Sequence, residues 1–267
     1  MAVYRDGEKV KKRIISGVLG LIILVYIVIN KGILFDFSVL TISLIGLYEF
    51  FTAIKKYNIR PLSIIGYLFT IGLFILFLYD KLNLLPFLLF IYVFSLLVCF
   101  VFARSIKPVD LGITLLGGMY ISFFLFHLVL LKTTILIWLV FISSWATDTF
   151  AYFSGRFFGK RKLCPKLSPK KTVEGAIGGV IGTLIVTIIF LIVLNQQHIL
   201  QLSILSVISS IIAQIGDLTA SKFKRLANIK DYGYIMPGHG GILDRFDSIL
   251  LTSPIIYYYL DIVLKII

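Results

Sequence analysis

Of the four aspartates from Asp217 to Asp247, three, Asp217, Asp244 and Asp247, stand among cations at helical spacings. Asp217 closes an apolar run. If its helix continues, Ser221, Lys224 and Arg225 follow at i+4, i+7 and i+8, so one stripe carries a carboxylate, a hydroxyl and two cations. Asp244 and Asp247 stand three apart at the start of the last apolar run, where both can point the same way from a helix N-terminus. The segment before them holds Pro237, Gly238, His239, Gly240 and Gly241. Successive glycines expose backbone N–H groups and admit φ > 0, which suits an anion-binding turn, although alone such a run reads first as a plain turn. Aspartate oxygens are hard ligands for Mg²⁺, which takes one or two carboxylates and completes its shell with substrate phosphates. Aspartates converging beside Lys, Arg and a glycine turn therefore meet the needs of a nucleoside triphosphate with Mg²⁺. The bland alternative is helix-end charge paired with Arg225 or Arg245.

A second cluster lies upstream. Residues 154–173 contain seven cations and no acid. Membrane topology, or contact with anionic lipid at about 1 kcal/mol per cation, accounts for most of that charge. Lys170 and Lys171 remain functional candidates because they precede a helix N-terminus, whose free N–H groups and dipole also favour an anion. The remaining cations of the segment, Arg156, Lys160, Arg161, Lys162 and Lys166, read as surface.

The elements that carry these groups must be membrane helices. Of 267 residues, 59% are hydrophobic and 15% are charged, and the mean hydropathy is +1.00. That excludes a soluble globular domain, a disordered chain and a soluble enzyme with a single anchor. Two cysteines, Cys99 and Cys164, support neither a disulfide framework nor a zinc site. The net charge of +13 sits on a small polar remainder and points to an anionic partner: nucleic acid, lipid headgroups or phosphorylated small molecules.

Nine runs are long and apolar enough to span a bilayer: 14–30, 33–51, 62–79, 82–102, 111–131, 133–150, 174–194, 199–216 and 246–264. The basic N-terminus followed by an apolar run resembles a signal peptide, but no small-residue cleavage site follows, so the first run reads as an uncleaved span. With the N-terminus inside, 22 of the 26 Lys and Arg fall in cytoplasmic segments and only Lys31, Lys81, Lys132 and Lys265 fall outside. The expected fold is thus all-α and polytopic, with the long polar segments 154–173 and 217–245 in the cytoplasm. Spans one to five, residues 1–132, form an N-terminal region, and residues 133–267 form the catalytic one. Glycines 175, 178, 179 and 182 give GxxxG spacings suited to close helix packing. No span has an ionisable residue at its centre. His127 lies toward an outer end and reads as a packing residue, while Glu49, Asp148, Glu174, Asp217, Asp244 and Asp247 fall at cytoplasmic helix ends, within reach of water. That argues against a proton-coupled transporter.

The run SKFKRLANIKDYGYIMPGHGGILDRFD, Ser221 to Asp247, resembles the diagnostic segment of phosphatidate cytidylyltransferases, or CDP-diacylglycerol synthases. Matching positions are Ser221, Lys224, Arg225, Lys230, Asp231, His239, Gly240, Gly241, Asp244, Arg245 and Asp247. DTFAYFSGRFFGK from Asp148, SPKKTVEG from Ser168 and Gly216-Asp217-Leu218 are also similar to the family. Met236, Val173 and Ala220 depart from it, the last where a Glu is frequent.

The resemblance implies an integral membrane homodimer that joins CTP and phosphatidic acid into CDP-diacylglycerol and pyrophosphate with Mg²⁺, a second cation being left open. It would work at the cytoplasmic face of the plasma membrane for phospholipid synthesis, with no nucleic acid as partner and with the acyl tails reaching the site sideways from the bilayer. By the same resemblance, Asp217 and Asp244 are the expected metal ligands. Lys224, Arg225, Asp247 and Ser221 form the catalytic group, and Asp148, Lys170, Lys171, Lys230, His239, Gly240, Gly241 and Arg245 bind substrate. A CTP-dependent lipid-alcohol kinase and a transporter or scramblase are the competing readings.

Overall fold

The computed structural model describes residues 2–235 and 240–267, the first fourteen of these as helical backbone only. Its helices are α1 (Ala2–Asn30), α2 (Ile33–Lys55), α3 (Ser63–Leu78), α4 (Leu85–Phe102), α5 (Pro108–Gly117), α6 (Phe124–Leu131), α7 (Trp138–Phe158), α8 (Val173–Val193), α9 (Ile199–Leu226) and α10 (Leu243–Tyr258). A π-helical turn, Gly118–Phe123, joins α5 to α6, and another, Tyr259–Val263, follows α10. Several breaks are made by residues that tolerate the left-handed conformation: Asn58, Asn195 and Asn228 have φ of 58°, 48° and 48° just beyond helix ends, where a short polar side chain replaces the usual glycine.

Seven stretches among the described residues are long and apolar enough to cross a membrane: Ile33–Lys55, Leu82–Phe102, Pro108–Leu131, Ile135–Phe158, Val173–Val193, Ile199–Leu226 and Leu243–Val263. Two shorter apolar helices, Ser16–Asn30 and Ser63–Leu78, occupy the other expected positions. The chain is a polytopic helical membrane protein. Its outer surface bears this out: on α8 the residues Ile177, Ile181, Ile185, Ile189 and Ile192 form an exposed stripe, costly in water and ordinary in lipid. One departure from an all-helical chain is a small antiparallel hairpin, β1 (Lys162–Cys164) with β2 (Ser168–Thr172), inside the basic segment expected as loop.

The chain forms two compact units. The first comprises Met1–Val129 and Ala227–Arg245, so the glycine-bearing segment clusters with the N-terminal helices. Its core is Leu47, Phe50, Phe51, Phe69, Leu73, Phe74, Ile121 and Phe126, all buried. Asp110 in the first turn of α5 accepts the backbone N–H of Lys107 at 2.8 Å and of Arg60 at 2.7 Å, tying the α2–α3 connection to that helix end. His127 is buried with its ring edge-on to Phe123, a packing role.

The second unit comprises Leu130–Leu226 and Phe246–Ile267. Here α7 and α8 pack backbone to backbone, as the glycine spacing predicts: a Cβ at Gly175 would lie 2.7 Å from the carbonyl oxygen of Ala151, one at Gly179 would lie 2.9 Å from that of Thr147, and one at Gly182 would strike the Phe150 ring. Between α7, α8 and α9 the Thr147 hydroxyl meets Thr183 at 2.8 Å and Ser210 at 2.7 Å, polar contacts that pin three helices where no water competes.

Candidate active site

In the first unit, the segment before α10 is held by two carboxylates. Asp244 Oδ2 accepts the backbone N–H of Tyr232 at 2.7 Å and of Gly241 at 3.0 Å. Glu49, on α2, accepts Ile242 N–H at 3.1 Å and Leu243 N–H at 2.8 Å. Gly240 has φ of +89°, and a Cβ there would lie 2.8 Å from Asp244 Oδ2, so both backbone conformation and space demand glycine. Lys230 and Arg245 are exposed. His239 lies outside the described residues, as do Met236, Pro237 and Gly238.

In the second unit, α9 does continue beyond Gly216 to Leu226, so Asp217, Ser221, Lys224 and Arg225 share one helix as the spacing predicts. Asp217 pairs with Lys171, and the Ser221 hydroxyl donates to Asp217 Oδ1 at 3.5 Å. Lys171 comes from β2. The hairpin holds it there: Val173 N–H donates to Arg161 O at 2.9 Å, Glu174 accepts the N–H groups of Lys160 and Arg161, and the Thr172 hydroxyl caps α8 by accepting Gly175 N–H at 3.1 Å. At Gly216 a Cβ would lie 2.7 Å from the carbonyl oxygen of Asp247, so this glycine brings α10 close to α9. Asp247 is buried, and the charges that act on it are Asp217, Lys224 and Asp148.

Beside this group opens a cavity of about 330 Å³ with Asp148, Tyr152, Arg156, Lys170, Lys171 and Gln214 in its wall. An apolar groove of about 370 Å³ runs along Ile177, Val180, Ile211 and Leu218 and shares Leu163, Ala176 and Gln214 with the cavity. A cationic pocket thus adjoins an apolar groove within one unit, across shared wall residues, a layout suited to a phosphate on an acyl-bearing molecule.

Of the expected residues, the second unit gathers Asp148, Lys170, Lys171, Asp217, Ser221, Lys224 and Asp247, with Arg225 exposed on the same helix. Gly240, Gly241, Asp244, Lys230 and Arg245 belong to the first. One expectation is corrected: Glu49, Asp244 and Asp247 do not reach water as helix-end charges, being 3%, 7% and 9% exposed; backbone N–H groups of residues 232 and 241–243 take the place of water at Glu49 and Asp244. Arg156, read as surface charge, lines the cavity beside Tyr152, to whose hydroxyl it donates at 3.2 Å. Glu49 carried a signal in the sequence, a carboxylate closing an apolar run, but nothing local named its partner.

Among the described residues no three His, Cys, Asp or Glu side chains close on a single metal position. The donor set nonetheless fits a hard divalent cation that binds one or two carboxylates and takes its remaining oxygens from phosphates. Asp217 and Asp148 both act on the buried Asp247, and gathered negative charge of this kind is relieved by a cation.

Lys, Arg and Asp side chains around a pocket at the ends of apolar helices define the class: an integral membrane protein equipped to hold a phosphorylated ligand. Residues 11–263 match the Cytidylyltransferase family, and the chain belongs to it. A phosphatidate cytidylyltransferase of Bacillus subtilis (strain 168) is 31% identical over 267 residues, covering 94% of this chain and 97% of that protein. One of Haemophilus influenzae is 40% identical over 130 residues, 47% of this chain and 45% of that protein. One of Rickettsia conorii is 48% identical over 130 residues, 46% of this chain and 56% of the relative. These last two matches span about half the length of each relative.

Proposed function

We propose that the chain is a phosphatidate cytidylyltransferase, which transfers the cytidylyl group of CTP to phosphatidic acid. The observation that carries the reading is the cationic cavity that shares part of its wall with an apolar groove, in a chain whose relatives bear that name. A phosphatidate phosphate oxygen attacks the α-phosphorus of CTP in line, the bond to the bridging oxygen breaks, and pyrophosphate leaves with its electron pair. The nucleophile is already ionised near neutral pH, so the protein supplies alignment and charge neutralisation rather than a base.

In this reading Lys170, Lys171 and Arg156 bind phosphate oxygens in the cavity, and Asp217 orients Lys171. Ser221, Lys224 and Asp247, gathered with Asp217, form the catalytic group, while Arg225, Lys230, Arg245, His239, Gly240 and Gly241 are assigned to substrate from the family resemblance. The acyl chains run along the groove toward the bilayer. Mg²⁺ is the proposed cofactor, with Asp217 and Asp244 as the ligands expected from sequence and Asp247 and Asp148 as the carboxylates that sit with Asp217. When bound, it would neutralise charge on the phosphates.

The proposal also includes nine spans with the N-terminus inside, a site facing the cytoplasm at the plasma membrane, and a homodimer. Its topological part is tested with a Cys99→Ala variant and a membrane-impermeant thiol reagent: Cys164, half-buried in the basic hairpin, should react only in inside-out vesicles. The activity is tested with CTP labelled in the α-phosphate, phosphatidic acid, Mg²⁺ and purified protein. Label should appear in lipid with equimolar pyrophosphate. Lipid labelled only from γ-labelled CTP would instead show a kinase.

A further inference from the structure

Glu49 lies in α2, far from every segment that resembles the family motif, yet it is 3% exposed and its carboxylate is fully engaged in the structure. One oxygen accepts the N–H of Ile242, the last residue before α10, and the other accepts that of Leu243, the first residue within it. These N–H groups stand where a helix has no acceptor of its own, and a carboxylate there also complements the helix dipole. A two-oxygen grip on consecutive N–H groups fixes both the position and the rotation of the helix start. The next residue is Asp244, whose Oδ2 holds Tyr232 and Gly241. Three consecutive N–H groups, 241 to 243, are therefore divided between Asp244 and Glu49. Room for the grip comes from two glycines: a Cβ on Gly233 or on Gly241 would run into the Glu49 carboxylate. Gly46, one turn earlier on α2, packs against Ile121, whose Cγ2 would lie 3.3 Å from an added Cβ.

We propose that Glu49 is a positioning residue for cytidylyl transfer, holding the start of α10, and with it Asp244, through the backbone N–H groups of Ile242 and Leu243. The inference rests on the transferase reading above. It assigns the N-terminal helices a part in the reaction, because a ligand-bearing helix displaced by about 1 Å can lose about 10²-fold in rate without losing its fold.

The test uses the full-length protein in lipid nanodiscs, with Glu49→Gln, Glu49→Asp and Glu49→Ala compared by turnover, KM and amide hydrogen exchange. Gln keeps the length but replaces one acceptor with an NH₂ that cannot accept. Its exchange at residues 242–243 should quicken by about 10- to 100-fold, the change carried by one hydrogen bond to a charged group, with the other helices unchanged. Its kcat should fall by about 10- to 100-fold with KM for CTP and phosphatidic acid held within a few-fold, which mere loss of folded protein would not do once turnover is expressed per folded molecule. Asp keeps both acceptors on a shorter arm and should recover part of the loss; Ala should be the most impaired. Unchanged exchange at 242–243 in Glu49→Gln, or faster exchange with wild-type turnover, overturns the proposal. Absence of lipid label from the unaltered protein would defeat the transferase reading instead, and the anchoring would then be judged by the exchange arm alone.

Discussion

The two units use carboxylates in opposite ways. In the first, Glu49 and Asp244 are buried and accept four backbone N–H groups between them, at 2.7 to 3.1 Å. In the second, Asp217 faces a lysine side chain and a serine hydroxyl, and Asp247 feels two other aspartates and Lys224. A carboxylate satisfied by backbone fixes where the chain goes. One balanced by mobile cationic side chains can exchange those partners for a phosphate-bound cation. Residue type is the same in both places; the donor decides the role.

The largest expected effect separates the two kinds. Asp217→Asn should lower turnover by about 10²- to 10³-fold, since it removes a charge where phosphate charge is handled. Its melting temperature should hold, because its partner is a partly exposed lysine. Asp244→Asn should lose as much activity and also about 1–3 kcal/mol of stability, because a buried acceptor of two N–H groups is impaired. Equal melting temperatures for the two variants would erase the distinction, and more than about a tenth of wild-type turnover in Asp217→Asn, set against that expected loss, would remove Asp217 from the site.

Lys171→Gln comes next. Losing one cation from the pocket should cost about 10²-fold in kcat/KM, and Arg156→Gln should cost less, because its guanidinium also leans on Tyr152. Steady-state kinetics with both substrates varied would show it; a larger loss for Arg156 would shift the phosphate toward α7. Gly241→Ala tests the first unit. Its Cβ meets the Glu49 carboxylate, and about 1–3 kcal/mol of stability should be lost. Gly112→Ala, with nothing within 4 Å of the added carbon, should be neutral or slightly stabilising by thermal denaturation. The smallest effect belongs to the exposed cations at the open end of the hairpin: replacing Lys160, Arg161 and Lys162 together by Gln should leave most turnover intact in the label-transfer assay, and a loss comparable to that of Asp217→Asn would enlarge the site to that end of the hairpin.

The sequence alone determined the membrane helices, because about 20 apolar residues without water contact have one stable backbone solution. It determined that α8 presents small residues for close packing, and it offered the stripe of Asp217, Ser221, Lys224 and Arg225 on the condition that the helix runs past Gly216, as α9 does. Periodicity and local spacing hold that information. Only the tertiary structure decided that residues 162–172 form a hairpin delivering Lys171 to Asp217, that Arg156 turns into a cavity, and that Ala227–Arg245 clusters with the N-terminal helices. Above all it decided the role of Glu49. Its partners lie 193 and 194 residues away and are backbone N–H groups, which every residue but proline offers, so no side-chain pattern along the chain could name them.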